Sequence, residues 1–291
     1  MIHAYLTKPP YLAEVLHEVG GEAFDERLVL SPKLSHPAFA IDVWPNSEII
    51  EFSSINDAIK KLKAKSLRWF YYKSKHVRRG ALIADGLKQV RDNAKPFAIF
   101  TLLNEQQLLV CTQPWKKWPC GEPHFIENKL IPPNRAYLKL WEALDLMAKQ
   151  PKHGEFCIDL GAAPGGWTWV LAETGANVLA IDKSLLDPKI AAMPNVTFKV
   201  ESAFALDPKL FDQVDWLCSD VICYPERALT LIQKWLASGK AKQMVVTIKL
   251  QGETNWPVIK ALQAIPNGCL THLWQNKHEL TFLYPFDVVK S

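Results

Sequence analysis

In the C-terminal half, apolar residues fall in short runs at 156–160, 177–182, 196–200, 214–220, 243–250, 269–276 and 280–286, each bounded by polar or glycine-containing segments. Runs of this length predict buried strands. Stretches with helical patterning lie between the first five, among them Trp167–Glu173 and Glu226–Ser238. Strand and helix alternating in this way predict a doubly wound, mostly parallel sheet. The last two runs are joined only by Lys277-His278-Glu279, a link so short that it demands an antiparallel hairpin. The prediction is therefore seven strands, five parallel and an antiparallel pair closing the sheet.

The N-terminal part has a different rhythm. Short strands are expected at Ala38–Val43, Phe97–Leu103 and Leu108–Thr112, around a helical segment near 55–93. Residues 113–134 contain Pro114, Pro119, Pro123, Pro132, Pro133, Trp115 and Trp118, which reads as a rigid connector. The expected domains are thus a smaller α+β domain at 1–128 and an α/β domain at 129–291.

Apolar content of 48% and charged content of 22% are those of a soluble globular protein, and no run of 18 apolar residues suggests a membrane span. Met1–Pro10 lacks the charged start and apolar core of a signal peptide. Cys111, Cys120, Cys157, Cys218, Cys223 and Cys269 form no C-x-x-C pair, so neither a metal site nor a disulfide framework is expected, and the cytoplasm is the natural compartment. The net charge of +4 is unevenly spread: residues 1–130 hold 18 Lys/Arg against 14 Asp/Glu, and residues 131–291 hold 16 of each. Lys60 to Lys95 contains 12 basic residues against Asp85 and Asp92, with Trp69, Phe70, Tyr71 and Tyr72 in its middle. Cations for phosphates and rings for unstacked bases make this a candidate RNA-binding surface. The plainer reading is a solvated basic face with its aromatics turned to the core.

Behind the run Phe156–Leu160, with Asp159 near its end, comes the turn Gly161-Ala162-Ala163-Pro164-Gly165-Gly166-Trp167. An acid-bearing strand entering a glycine turn and then a helix suits a nucleoside-bearing cofactor. Asp182, 21 residues beyond Gly161, stands where ribose hydroxyls are bound. The dinucleotide fingerprint G-x-G-x-x-G is absent, which disfavours a nicotinamide oxidoreductase, as does the closing hairpin. The pattern suits S-adenosylmethionine (SAM), which has no phosphate to cradle.

Four polar residues are expected beside that cofactor. Asp220 ends the fourth strand, Lys249 ends the fifth, Glu279 opens the last, and Lys139 lies on the helix leading into the domain. In open α/β sheets ligands bind beyond the carboxyl ends of the strands. The run Asn134-Arg-Ala-Tyr-Leu-Lys-Leu-Trp-Glu142, followed by Asp-Leu-Gly-Ala-Ala-Pro-Gly-Gly-Trp167, resembles the FtsJ (RrmJ) family of ribose 2′-O-methyltransferases, and most of all the RlmM type acting on large-subunit ribosomal RNA. The likeness covers roughly 129–286. It implies a Rossmann-like class I SAM-dependent methyltransferase fold, SAM as cofactor, RNA as partner and a Lys-Asp-Lys-Glu set at Lys139, Asp220, Lys249 and Glu279. It also implies cofactor contacts from Asp159, the 161–167 turn, Asp182 and Asp220.

The residue types match the chemistry. A ribose hydroxyl is a poor nucleophile, so its proton must be removed and oxygen, methyl carbon and sulfur held in line. A neutral lysine can accept that proton if its pKa is brought down from ~10.4, which burial and a neighbouring cation can do. The expectation is Lys249 as base, Lys139 and Asp220 tuning and orienting it, and Glu279 positioning Lys139 or the ribose.

The chain departs from the pattern in two places. The usual adenine-facing aspartate is replaced by Ser202 in Glu201-Ser202-Ala203-Phe204, a weaker acceptor. The N-terminal region is also shorter than the N-terminal and THUMP modules that the RlmM type carries. Two other functions therefore stay open: 2′-O-methylation of transfer RNA or another RNA, and a non-catalytic RNA-binding protein that keeps SAM as a ligand.

Overall fold

The computed structural model describes residues 1–88 and 96–286, so the end of the basic stretch, with Arg91, Asp92 and Lys95, lies outside the described residues. The chain forms two units, Met1–Pro123 and His124–Ser291.

The C-terminal unit begins with α4 (Tyr137–Leu146) and continues through β8 (Phe156–Leu160), α5 (Gly166–Glu173), β9 (Asn177–Asp182), α6 (Pro188–Ala191) and β10 (Val196–Val200). Then come β11 (Val214–Ser219), α7 (Pro225–Ser238), β12 (Ala241–Lys249), α8 (Trp256–Gln263), β13 (Cys269–Thr271) and β14 (Glu279–Tyr284). The sheet order is β10-β9-β8-β11-β12-β14-β13, parallel from β10 to β12, with β14 antiparallel to both β12 and β13. Cys157, Ile158 and Leu160 of the central strand are fully buried, as a strand covered on both faces requires. From β8 the chain winds outward to β9 and β10, then returns to lay β11 on the other side of β8. That reversal opens a crevice at the carboxyl ends of β8 and β11, where such sheets bind ligands.

All seven expected strands are present, but the closing hairpin is built differently. β13 stops at Thr271, and 272–278 connect it to β14. The backbone N–H groups of Trp274 and Gln275 go to the Glu142 carboxylate at 2.7 and 2.9 Å instead of to a neighbouring strand, so the ladder ends early.

The N-terminal unit is built from β1 (Ile2–Leu6), α1 (Leu12–Val19), β2 (Glu22–Ala23), β3 (Leu28–Ser31), β4 (Asp42–Glu51), α2 (Ile55–Ala64), β5 (Arg68–Tyr71), α3 (Val77–Leu87), β6 (Phe97–Asn104) and β7 (Gln107–Cys111). Its sheet order is β2-β3-β1-β4-β7-β6-β5. The strand expected at Ala38–Val43 begins only at Asp42. Ala38 to Ile41 are buried ahead of it: the Glu18 carboxylate accepts from Ala38 N and Phe39 N at 2.8 and 3.1 Å, and Ile41 N donates to Leu6 O of β1 at 2.7 Å.

The segment near 55–93 is not helical throughout: β5 interrupts it and pairs parallel with β6. Strand alternation decides the fate of the aromatics. Trp69 and Tyr71 pack with Leu62, Ile83 and Phe100, and the Trp69 indole donates to Leu62 O at 3.0 Å. Tyr72 is buried, its hydroxyl donating to Asp25 and its ring edge-on to Trp44. Phe70 lies edge-on to Phe97 with the Arg68 guanidinium over its ring. These rings serve the fold, while Lys60, Lys63, Lys73, Lys75 and Arg78 are exposed.

The proline-rich connector is likewise divided. Trp115 N donates to Val43 O at 2.8 Å and Lys116 N to the buried Asp42 carboxylate at 3.0 Å, tying this part to β4. Phe125 packs edge-on to Trp141 in the C-terminal unit. Among the described residues no helix is long and apolar enough to cross a membrane.

Candidate active site

The turn after β8 is closed by Gly161 N and Ala162 N, which donate to Ile181 O at 2.9 and 3.2 Å, and by Ala163 N, which donates to an Asp182 carboxylate oxygen at 3.0 Å. Gly161 has φ +78° and Gly165 has φ +121°. A Cβ on Gly161 would stand 2.6 Å from Val221 Cγ2, and one on Gly165 would stand 2.9 Å from Ile190 Cγ2. The glycines therefore let the turn pack against the chain after β11 and against α6, which is a demand of the fold itself.

A cavity of about 680 Å³ opens at this crevice. Gly161, Ala163 and Pro164 line it from the turn, Asp182 from the end of β9, Ser202 and Phe204 from the segment after β10, and Asp220 and Ile222 from that after β11. The Arg227 guanidinium covers the Phe204 ring at 3.9 Å, completing the far wall. Ionisable groups on the walls are Asp182, Glu201 and Asp220 against Lys183 and Arg227, a balance that favours a cation over a pyrophosphate. A larger open cavity of about 880 Å³ lies by the loop before β8, lined by Phe125, Trp141 and His153, but holds none of the groups of the ring described below.

Five of the residues expected at the cofactor do not line this cavity. Ala162 and Gly166 are buried, and Gly165 faces α6. Trp167 is buried, and its indole N–H donates to Ala136 O at 2.9 Å, which commits the ring to the start of α4. Asp159 is fully buried behind the turn. One oxygen accepts from Thr168 Oγ1 at 2.7 Å, and the other has no hydrogen-bond partner among the described residues. Burial pushes this carboxyl up to about 7, with Asp220 and Asp182 adding to the rise and Thr168 opposing it.

Lys139, Asp220, Lys249 and Glu279 come from four separate segments and close into one ring. Lys139 Nζ lies 2.7 Å from Asp220 Oδ2 and 2.9 Å from Glu279 Oε1. Lys249 Nζ lies 2.6 Å from Asp220 Oδ1 and also donates to Glu279 Oε2. Two cations alternate with two anions, each bridging both opposite partners. Thr247 Oγ1 donates to Asp220 Oδ1 at 2.8 Å. Sheet register assembles most of this: Lys249 and Glu279 are direct partners of β12 and β14, and Asp220 N donates to Leu160 O just past the β8–β11 ladder. Asp220 belongs to both ring and cavity wall.

The electrostatics differ from the expected lysine pair. Carboxylates stand between the two lysines. Burial would lower the Lys249 pKa, but Asp220 and Glu279 outweigh it and hold it above the ordinary lysine value. Burial would raise Glu279, but Lys139 and Lys249 hold it below the usual carboxylate range. In the resting ring Lys249 is an ammonium.

Several residues at the site carried no assignment beforehand. Thr247 could have been found, since it precedes Lys249 by two residues on the same strand face. Thr168, Phe204 and Arg227 offer no such signal, because only the folded chain brings them to the site.

Residues 132–263 match the model of the FtsJ-like methyltransferase family. The ribosomal RNA large subunit methyltransferase M of Halorhodospira halophila is 36% identical over 176 residues, covering 58% of this chain and 51% of that protein. Its namesake from Alkalilimnicola ehrlichii is 31% identical over 181 residues, covering 58% and 49%. One from Pseudomonas fluorescens is 30% identical over 207 residues, covering 68% and 57%. The chain thus spans about half the length of the relatives it matches. The likeness to the FtsJ-like methyltransferase family thus lies in residues 132–263, within the unit that carries the crevice and the ring.

Proposed function

We propose that the protein is a SAM-dependent RNA ribose 2′-O-methyltransferase acting on large-subunit ribosomal RNA, in the cytoplasm. The observation that carries the chemistry is the closed ring of Lys139, Asp220, Lys249 and Glu279 at the edge of a cavity suited to a cationic nucleoside. The substrate is taken from the large-subunit methyltransferases that the chain resembles.

The residues present fit SAM. On the cavity wall Asp182 suits its ribose hydroxyls, and the Phe204 ring with Ser202 its adenine. When bound, SAM supplies a methyl group already activated on a sulfonium sulfur.

The chain's own residues then act on the acceptor. Asp220 fixes both lysine side chains, and Glu279 holds them from the far side, so the 2′-hydroxyl meets Lys249 and Lys139 in a fixed geometry. Lys249 takes the hydroxyl proton from its neutral form, which the ring keeps scarce at neutral pH. Exposed Lys60, Lys63, Lys73, Lys75 and Arg78 of the N-terminal unit hold RNA phosphates, with no stacking contribution from Trp69 or Tyr71.

Transfer of tritium from labelled SAM to ribosomal RNA, followed by mapping of alkali-resistant 2′-O-methyl positions, tests this reading. Label in transfer RNA alone would replace the substrate, and no label in any RNA would overturn the activity.

A further inference from the structure

Glu142 takes no part in the ring, yet it sits one helical turn from Lys139 on α4, where residues three apart share a face. Its carboxylate is fully buried. A buried carboxylate is costly unless its oxygens are satisfied. Here Oε1 accepts from Trp274 N at 2.7 Å and Oε2 from Gln275 N at 2.9 Å, two consecutive backbone donors 132 and 133 residues away. Those donors lie in the 272–278 connection, which delivers the chain to Glu279 at the start of β14. The rest of the connection is fixed too: Asn276 Oδ1 accepts from Leu273 N at 2.8 Å and Thr281 Oγ1 at 3.1 Å, and Leu250 N donates to His278 O at 3.0 Å.

One helix therefore holds Lys139 through its own backbone and, through Glu142, the segment that presents Glu279. We propose that Glu142 is a positioning residue that sets the 2.9 Å contact between Lys139 and Glu279, and through it the geometry of the proton-accepting ring. The proposal rests on the methyl-transfer reading above. A carboxyl side chain does this better than an amide would, because both of its oxygens accept here, whereas an amide offers one acceptor and an NH2.

Glu142→Gln keeps the shape and loses one acceptor. It is expected to lower kcat roughly 10- to 100-fold, the scale of a displacement of about 1 Å at a reacting group, with KM for RNA and SAM little changed. A double-mutant cycle separates positioning from general support. In a Glu279→Gln background, Glu142→Gln should cost little more, whereas losses that simply multiply would overturn the proposal.

A second readout needs no substrate. The carboxyl carbon of Glu279, followed by NMR in protein labelled at glutamate, should titrate at higher pH in Glu142→Gln than in the parent, because its contact with Lys139 is loosened. An unchanged titration would also overturn the proposal. A shifted titration in a protein inactive on every RNA would leave it standing and remove the methyl-transfer reading instead. If Glu142→Gln does not fold, Thr281→Val, which removes only the hydroxyl held by Asn276, should give the same coupling with Glu279 at smaller amplitude.

Discussion

Lys249 and Glu279 are directly paired across the antiparallel β12 and β14, so the register of a hairpin strand sets one side of the candidate active site. Lys249→Ala should lower methyl transfer by about 10²–10⁴-fold, the range of a lost general base, while SAM affinity by calorimetry stays near the parent value. The same variant leaves Asp220 and Glu279 sharing one cation at low exposure, so a stability loss of about 3–5 kcal/mol in urea unfolding should accompany it. Wild-type turnover in a folded Lys249→Ala protein would remove Lys249 from the chemistry.

The raised pKa of Lys249 fixes the sign of the pH dependence. A base held protonated above its ordinary value has a neutral fraction that grows tenfold per pH unit while pH stays below its pKa. Initial rates under saturating conditions should therefore rise with a slope near one in log rate from neutral pH into the alkaline range. A profile flat across that interval would mean that Lys249 acts only as an ammonium donor.

Asp159 makes a separate prediction about stability. In the unfolded chain its carboxyl titrates near 3.9, whereas in the fold it is raised to about 7. The folded state binds the extra proton between these values, so this group's contribution is fully present below about pH 4 and is lost as pH rises to about 7. Asp159→Asn keeps an acceptor for Thr168 and removes that loss, so the ligand-free protein should gain up to about 4 kcal/mol at pH 8 and little at pH 4. Because Asp159 is buried off the cavity wall, affinity for SAM should change little. Unfolding curves at the two pH values and calorimetric titration with SAM check both halves.

Much of the C-terminal unit was legible because its strands are short apolar runs, three of which, β9, β11 and β12, end at or just before a polar residue of the site. Asp220 and Lys249 stand where strand ends face the crevice, and alternation alone puts Thr247 on the face of Lys249. What could not be read is charge order: sequence position cannot tell that carboxylates lie between the lysines, so the pKa of Lys249 goes up where it was expected to go down. Trp167 misled for a related reason. Its place beside the glycine turn suggests the ligand, but an indole N–H inside a core takes the nearest carbonyl, here that of Ala136. In the N-terminal unit a basic, aromatic stretch concealed β5, because parallel pairing with β6 depends on residues 29 positions away.

The glycine turn allows a controlled comparison. Gly161 and Gly154 both have positive φ, but a Cβ at Gly161 would meet Val221 at 2.6 Å while one at Gly154 would meet nothing within 4 Å. Gly154→Ala should cost only the left-handed backbone term, about 1–2 kcal/mol. Gly161→Ala adds a collision at the mouth of the cavity, so it should be the more destabilising in urea and should weaken SAM binding, which Gly154→Ala leaves intact. Equal losses would mean that the turn yields without disturbing the cavity.

The basic face of the N-terminal unit can be tested apart from catalysis. Lys60, Lys63, Lys73 and Arg78 are exposed, whereas Trp69 and Tyr71 pack into the cluster around Phe100. Replacing the four cations by glutamine should lower RNA affinity and flatten the dependence of log K on log salt by about 0.7 for each single-strand phosphate left without its cation. The fold should survive, since surface substitutions of this kind change stability by about 0.5 kcal/mol or less each. Trp69→Ala should do the reverse, costing about 3–5 kcal/mol as a large core truncation while leaving the salt slope unchanged in the protein that still folds. Filter binding over a salt series beside urea unfolding distinguishes the two. If Trp69→Ala weakened RNA binding in a stably folded protein, the ring would have to leave the core to meet a base, and the division between phosphate contacts and core aromatics would fail.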